Sequence, residues 1–418
     1  MQSRSSVSLR LLAALFLAAS AASGIARAKA YVKAGSGQAV LGNQFLELTF
    51  ERACAVRLVN KLSGRTIPLS SDAFSLGVEG REPLRLADFA FKSVEQQRTA
   101  SGRRLWFSLE QVAGGTELRV VYELGEKDFF LRRWLELFPK HPIALRQVDA
   151  WQVGIEGKAV HQGFGEPVFL EDTFWGLEFP AAHNHYAEGK VRLSQYPGRT
   201  VTDRWTSKPA VLGVSEPGRV ARRFQQYVES FRVTPPETSL FVNYNTWWTL
   251  MPPTEQNCLE LIDLFRRRLL EPYGESIDTF TIDDGWDNKN SLWAIREDRF
   301  PRGFGPLVDA LERINARLGI WLSPSSGYNH APWLSTHGYE GNSNAWYMCQ
   351  SGPNYRRDIV RVVTDLARRY RVAFFKFDGF CPTCDAPGHG HLPGPFAQEA
   401  NVEAFIELMT AVRQVRPD

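Results

Sequence analysis

Acidic, basic and aromatic side chains recur directly after four apolar segments in the second half of the chain. These positions are residues 243–248, 283–286, 321–323 and 376–379. They include the carboxylates Asp283, Asp284 and Asp378, the ammonium group of Lys376, and the indoles of Trp247 and Trp321. In a parallel barrel the working residues lie at the carboxyl ends of the strands, each delivered by a different strand. We therefore expect these side chains to meet at one site.

Carboxylates among tryptophans are typical of a sugar site. Aromatic rings cover the apolar CH faces of a sugar, and charged groups orient its hydroxyls. Lys376 and Asp378 are two apart on an extended segment, so both side chains point to the same side of the sheet. An ammonium group fixed next to a carboxylate keeps that carboxylate ionised, as a nucleophile requires. The spacing therefore favours Asp378 as a nucleophile.

Other interpretations of these segments are weaker. Asp283-Asp284-Gly285-Trp286 alone is equally typical of a turn with a helix cap, and only its recurrence with three similar strand ends favours a site. A metal-dependent hydrolase would depend on Asp283 and Asp284 alone, without a histidine at a strand end, so we expect no metal. No glycine-rich phosphate loop follows the first strand, so we also expect no dinucleotide cofactor.

The elements that position these residues alternate between strand and helix from residue 236 onward. Apolar strands are predicted at residues 239–244, 277–282, 319–322 and 371–377. Amphipathic helices are predicted between them, one of which carries Leu307, Leu311, Ile314 and Leu318 and ends at Gly319. Repeated strand-helix units indicate a parallel sheet, either doubly wound or a (β/α)8 TIM barrel.

Residues 31–231 show a different pattern, in which apolar and polar residues alternate with a period of two. Leu46, Leu48 and Phe50 alternate with Glu47 and Thr49, and turn-like segments separate several such runs. An antiparallel β-sandwich of residues 29–235 is therefore predicted, followed by an α/β domain of residues 236–418.

Residues 1–28 have the features of a secretory signal peptide. Arg4 and Arg10 precede an apolar stretch from Leu11 to Ala19, and small residues end at Ala28. The stretch is too short to cross a bilayer, so we expect a secreted or periplasmic protein without a membrane partner. The formal net charge of +3 falls to zero when the three arginines of this segment are removed, which argues against a nucleic-acid partner.

Five cysteines permit disulfides in an oxidising compartment, and an odd number leaves at least one thiol free. Cys381 and Cys384 form a Cys-x-x-Cys motif that is compatible with half of a zinc site or with a redox pair. Because no second close pair of cysteines or histidines is evident, a disulfide or free thiols are favoured. His389 and His391 are expected in a solvated loop.

The order of the four strand ends at residues 243–248, 283–286, 321–323 and 376–379 resembles the α-galactosidase clan, glycoside hydrolase families 27 and 36. The resemblance covers residues 239–418. The resemblance implies retaining hydrolysis of terminal α-galactosides in oligosaccharides or polysaccharides, with the exact sugar left open. It implies Asp378 as the nucleophile and Asp283, Asp284, Lys376, Trp247 and Trp321 as substrate-binding residues. It also implies that Cys381 corresponds to the half-cystine after the nucleophile in family 27, with Cys349 as its partner.

A retaining glycosidase needs a second carboxyl group as its acid/base. In this clan that group lies beyond the fourth strand, and four strands cannot close a barrel. We therefore expect residues 236–418 to be the N-terminal half of a (β/α)8 barrel, with the acid/base outside this chain and the chain alone inactive. The alternatives are a non-catalytic sugar-binding protein and an α-galactosyl transglycosidase.

Overall fold

The computed structural model describes residues 29–35, 37–160, 163–233 and 240–417. The predicted signal peptide, residues 1–28, lies outside these ranges, as does residue 239, at the start of the first predicted α/β strand. The described residues consist mostly of β-strands with several helices. In the described part of the chain, no helix is both long enough and apolar enough to cross a membrane.

Residues 31–214 form three antiparallel sheets, which we call the N-terminal sheets. Their strands are β1 Tyr31–Ala34, β2 Gln38–Gly42, β3 Leu46–Glu51, β4 Cys54–Asn60, β5 Arg65–Pro68, β6 Ser70–Val78, β7 Leu84–Arg85, β8 Phe89–Arg98, β9 Gly102–Gln111, β10 Glu117–Gly125, β11 Phe130–Phe138, β12 Ile143–Gly154, β13 Ala159–Val160, β14 Gly163–Phe164, β15 Val168–Leu170, β16 Thr173–Leu177, β17 His183–Ala187, β18 Lys190–Gln195, β19 Arg199–Val201, β20 Trp205–Thr206 and β21 Ala210–Val214. A short 3-10 helix, Leu86–Asp88, lies between β7 and β8.

The strands β1 to β5 form one sheet in sequence order. A second sheet has the order β13-β15-β16-β21-β11-β10-β9-β8, with β20 also paired to β11. A third has the order β14-β17-β18-β12-β6-β7, with β19 paired to β12. Buried side chains from all three sheets belong to one apolar cluster.

The predicted period of two is present in these strands. In β3, Leu46, Leu48 and Phe50 are fully buried, whereas Glu47 and Thr49 are partly exposed. Because side chains of a strand point alternately to its two faces, this pattern buries one face of the sheet against the core.

Residues 243–417 contain a parallel sheet flanked by helices. Its strands, hydrogen-bonded in sequence order, are β22 Asn243–Asn245, β23 Thr279–Ile282, β24 Arg317–Leu322 and β25 Phe374–Phe377. Within the described ranges the α-helices are α1 Val220–Ser230, α2 Glu255–Phe265, α3 Glu271–Tyr273, α4 Gly305–Glu312, α5 Ala331–Thr336, α6 Pro353–Arg369 and α7 Pro395–Val415. A 3-10 turn, Thr246–Trp248, follows β22, and a π-helical segment, Arg266–Leu270, joins α2 to α3.

The sequence prediction for the helix before β24 is wrong at its C-terminal end. The helix α4 ends at Glu312, and Leu318 lies in β24 rather than on the helix. Asn315 takes a left-handed conformation with φ of 58°, and the Ala316 N–H donates to the Leu311 carbonyl at 3.0 Å. This left-handed residue closes the helix before Gly319, because asparagine tolerates that conformation better than most residues do.

The helix α7 joins the parallel sheet to the N-terminal sheets. Leu408 belongs to the apolar cluster around the parallel sheet, and Val402 to the cluster of the N-terminal sheets. On the same helix, Glu403 forms ion pairs with Arg199 at 3.0 Å and with Lys208 at 2.7 Å. These contacts connect the helix that follows β25 to the β-rich half of the chain.

Candidate active site

The four parallel strands bring the predicted site residues to one edge of the sheet. Strand pairing places Asn245 opposite Thr281, and Trp321 opposite Lys376. Asp283 and Asp378 directly follow β23 and β25. The expectation that the strand ends converge is therefore confirmed by the strand register.

Asp283 is buried, and both of its carboxylate oxygens accept hydrogen bonds from within the chain. Oδ2 lies 2.8 Å from Nζ of Lys376 and 2.7 Å from Nδ2 of Asn245. Oδ1 accepts the backbone N–H of Asp284 at 2.9 Å, and the backbone N–H of Asp283 donates to Oγ1 of Thr246 at 2.9 Å. Since a buried carboxylate needs such partners, these bonds hold Asp283 in one orientation.

Lys376 therefore has a different partner from the one that its spacing predicts. Its ammonium group forms an ion pair with Asp283, two strands away across β24, rather than with Asp378, which directly follows its own strand. The reason is burial: Asp283 has a side chain only 2% exposed and so has the greater need of a counter-charge.

Asp284 lies beside Asp283 but is only half-buried, and a second lysine reaches it. Nζ of Lys289 lies 2.6 Å from Oδ1 of Asp284 and 3.0 Å from Oδ2 of Asp287. Nε2 of His330 lies 2.7 Å from the same Asp287 oxygen, and both side chains are fully buried. Burial by itself would raise the pKa of Asp287, but His330 and Lys289 together hold it below its ordinary value.

Asp378 is the exposed carboxylate of the site. The indole N–H of Trp321 donates to its Oδ2 at 3.4 Å. The hydroxyl of Tyr328 also hydrogen-bonds to it, and Tyr328 has its pKa raised to about 12, first by burial and then by this bond and the charge of Asp378. The ring of Tyr328 packs edge-on against Trp321, with centroids 4.9 Å apart. Two donors therefore orient Asp378 while the carboxylate stays accessible.

The backbone after Asp378 passes close to Tyr328. Gly379 has a φ of 69°, and a Cβ at this position would lie 2.8 Å from a ring carbon of Tyr328 and 3.0 Å from Oγ of Ser323. Only glycine combines this conformation with so close an approach. The loop after β24 and the loop after β25 are thus packed directly against each other.

The predicted tryptophans occupy two kinds of position. Trp247 follows Asn245, whose side-chain oxygen accepts the Trp247 backbone N–H at 2.8 Å, and its side chain is 45% exposed. Trp321 is 2% exposed and offers the site mainly its indole N–H. Trp286 and Trp293 are buried and pack in the core around the parallel sheet.

Sequence reasoning did not identify Asn245, Lys289 or Tyr328 as site residues. Asn245 lies in one of the predicted strand ends, and Lys289 is only five residues beyond Asp284. Tyr328 lies in the loop after β24, where Ser326, Tyr328 and Asn329 all have positive φ. The serines and glycine of this loop were the available signal, since such residues mark a tight turn.

The disulfide that the resemblance implies between Cys349 and Cys381 is not present. All five cysteines are free thiols. Sγ of Cys381 faces Nδ2 of Asn342 at 3.7 Å, whereas Sγ of Cys349 lies 3.1 Å from Nε2 of His391. Cys384, rather than Cys381, lies close to Cys349. His389 and His391, which are expected in a solvated loop, belong to this cluster and are half-buried.

A cavity of about 910 Å³ lies between residues 292–303 and the helix α6. Its lining includes Trp293 and Arg302 but none of the four charged residues predicted for the site, Asp283, Asp284, Lys376 and Asp378. We therefore do not identify this cavity with the candidate active site.

Comparison with solved structures identifies the fold. No protein-family model matches the chain, and no curated protein matches its sequence. The family 36 α-galactosidase AgaA from Geobacillus stearothermophilus, a variant in complex with 1-deoxygalactonojirimycin, is similar with a TM-score of 0.63 and 12% identity, over 93% of this chain and 71% of that chain. The galactosidase domain of the α-galactosidase-sucrose kinase AgaSK gives a TM-score of 0.64 and 10% identity over the same shares.

A third similar structure is the α-galactosidase from Lactobacillus brevis, with a TM-score of 0.63 and 10% identity, over 91% of this chain and 69% of that one. The chain therefore has the fold of a glycoside hydrolase. More closely, it has the fold of the family 36 α-galactosidases, which confirms the predicted resemblance to that clan at the level of fold.

Proposed function

We propose that this protein is a retaining glycosidase that acts on terminal α-galactosides of oligosaccharides, with Asp378 as its nucleophile. The observation that carries the proposal is the environment of Asp378. It is an accessible carboxylate at a strand end, oriented by Trp321 and Tyr328, and it lies two residues from Lys376, which pairs with the buried Asp283. AgaA variants in complex with raffinose and with stachyose support the substrate class.

In the proposed first step, a carboxylate oxygen of Asp378 attacks the anomeric carbon of the galactoside, and the bond to the leaving oxygen breaks. That oxygen takes a proton from an acid, and a glycosyl ester on Asp378 remains. Water then attacks the anomeric carbon and releases galactose, while its proton passes to the second carboxyl group. We place that second group on a strand other than the four described.

The other residues bind and orient the sugar in this proposal. Asp284 and Lys289 form a half-buried charged pair that can exchange hydrogen bonds with sugar hydroxyls. Lys376 is 39% exposed and can bind a hydroxyl while it remains paired with Asp283. The exposed ring of Trp247 supplies an apolar face for the CH groups of a sugar.

For the domain organisation and the location of the protein, we propose what the sequence predicts. We propose a β-sandwich domain of residues 29–235 and the N-terminal half of a (β/α)8 catalytic barrel in residues 236–418. We also propose that residues 1–28 direct export to the periplasm or the medium.

The test is covalent labelling with α-galactosyl fluoride, whose leaving group departs without protonation by an acid. Intact mass spectrometry of the protein should show the addition of one galactosyl group, and peptide mapping should place it on Asp378. Asp378→Asn should abolish the labelling. Asp365→Asn, which changes an exposed carboxylate on α6, should label as the unmodified protein does.

Two other results would overturn the proposal. Galactose binding by calorimetry without any labelling would assign the pocket to a non-catalytic sugar-binding protein. Labelling on a carboxylate other than Asp378 would contradict the nucleophile assignment.

A further inference from the structure

Two cysteines and two histidines lie close together, one from the segment between α5 and α6 and three from the loop after β25. The ligand atoms of Cys349, Cys384, His389 and His391 all lie within 4.8 Å of one another. Sγ of Cys349 is 3.1 Å from Nε2 of His391, and Sγ of Cys384 is 3.6 Å from Nδ1 of His389. Among the described residues this is the only group of three or more side chains that could hold a metal ion.

These separations are close to those of the ligands of one tetrahedral zinc ion. With Zn–S bonds of about 2.3 Å and Zn–N bonds of about 2.0–2.1 Å, the four ligand atoms of such a site lie about 3.3–3.8 Å apart. Two thiolates and two neutral imidazoles are a common ligand set of structural zinc sites, and two thiolates balance the charge of Zn²⁺.

The groups around the cluster already orient its ligands. Nδ1 of His391 lies 2.9 Å from the carbonyl oxygen of Leu392, so the proton is placed on Nδ1 and Nε2 is free to bind a metal. Oγ of Ser351 lies 3.4 Å from Sγ of Cys349 and can donate to a thiolate. The Ser351 backbone N–H donates at 2.8 Å to Oδ1 of Asn401 on α7. This bond holds Ser351 against α7.

The location of the cluster explains what a metal would do. Residues 378–394 contain neither helix nor strand, and a stretch of this length without regular structure needs other contacts to hold it in place. Cys384, His389 and His391 belong to this stretch, and Cys349 comes from the loop before α6. Both thiols are fully buried, so a bound ion would have no open position for a substrate.

We propose that Cys349, Cys384, His389 and His391 bind one structural Zn²⁺ ion, which fixes residues 378–394 against the loop before α6. The site is separate from the proposed glycosidase chemistry, and its existence does not depend on that function.

A disulfide between Cys349 and Cys384 is the competing state, because the two sulfur atoms are close and the protein is expected to be exported. The histidines favour zinc. A disulfide does not require ring nitrogens directed at both sulfur atoms, whereas a tetrahedral ion requires four ligands.

The experiment measures the metal content of the full chain purified without chelators and then incubated with Zn²⁺ and dialysed. Elemental analysis and native mass spectrometry should find about one zinc per chain. Cys384→Ser, His389→Ala and His391→Ala should each lose most of that zinc. Two control variants should keep the zinc. Cys381→Ser changes a cysteine three residues from Cys384 but outside the cluster, and His337→Ala changes an exposed histidine.

Cobalt substitution tests the geometry of the metal site in the unmodified protein. It therefore does not depend on whether the variants fold. Co²⁺ in the site should give the intense visible bands of tetrahedral cobalt and a thiolate charge-transfer band, and Zn²⁺ should displace them. A metal-free protein whose mass and peptide map show a Cys349–Cys384 disulfide would overturn the proposal. So would zinc that all three cluster variants retain, or cobalt spectra without thiolate bands.

Discussion

Nζ of Lys376 lies 2.8 Å from Oδ2 of Asp283, and this ion pair spans the sheet from β25 to β23, across the strand between them. The two partners differ in exposure, since the lysine side chain is 39% exposed and the aspartate side chain only 2%. The lysine can turn to solvent if it loses its partner, but the aspartate cannot. The pair is therefore asymmetric in its contribution to stability.

Lys376→Met should lower the free energy of unfolding by about 1–3 kcal/mol, because it leaves the buried carboxylate of Asp283 without its counter-charge. Asp283→Asn should cost less, and Lys376→Met combined with Asp283→Asn should be close to Asp283→Asn alone. Urea unfolding of the four proteins measures this cycle. Additive effects of the two substitutions would contradict the role of the pair.

Asp284→Asn should slow labelling by α-galactosyl fluoride about ten- to hundred-fold, because a charged hydrogen bond to a sugar hydroxyl contributes about 1.5–3 kcal/mol. The same change should leave the urea midpoint nearly unchanged, since Asp284 is half-buried and Lys289 retains Asp287 as a partner. The labelling rate constant over a range of substrate concentrations is the measurement. An unchanged rate would remove Asp284 from the sugar-binding set.

Gly379→Ala should destabilise the protein and disturb the site, whereas Gly338→Ala provides the matched control. Both glycines have positive φ, of 69° and 87°, so each alanine costs about 1–2 kcal/mol for the backbone. A Cβ at Gly338 meets nothing within 4 Å, but one at Gly379 meets the ring of Tyr328 at 2.8 Å. We expect Gly379→Ala alone to slow labelling of Asp378. Equal labelling in the two variants would argue against the contact with Tyr328.

Glu399 should make stability fall as pH rises. It lies on α7 against the N-terminal sheets, where burial raises its pKa to about 7, against an opposing hydrogen bond from the backbone N–H of Tyr196. The folded state therefore keeps a proton that the unfolded state loses, so stability decreases from about pH 4.5 to about pH 7. The decrease can reach about 3 kcal/mol.

The measurement is the free energy of unfolding as a function of pH for the unmodified protein and for Glu399→Gln, which cannot ionise. The variant should show a smaller decrease over the same range. Glu407→Gln, on an exposed position of the same helix, should keep the decrease. If Glu399→Gln has the same pH profile as the unmodified protein, another group is responsible.

Local patterns in the sequence determined the antiparallel strands of the first half, the parallel strands of the second half and the edge at which the strand ends converge. The alternation of Leu46, Leu48 and Phe50 required a strand with one buried face, and that face is buried. Polar residues after buried parallel strands had to meet at one edge, because parallel strands align their carboxyl ends. The alternation depends on neighbours within a few residues, and the convergence of strand ends follows from parallel pairing in general, so the sequence alone predicts both.

The tertiary structure decided which of the assembled groups are partners. Lys376 is two residues from Asp378, yet it pairs with Asp283, because the path of the chain buries Asp283 and leaves Asp378 exposed. Cys349 lies with Cys384 and two histidines rather than with Cys381, because the path of the loop after β25 brings those three residues to it. Partner choice depends on burial and on loop paths between residues distant in sequence, and spacing along the chain contains neither.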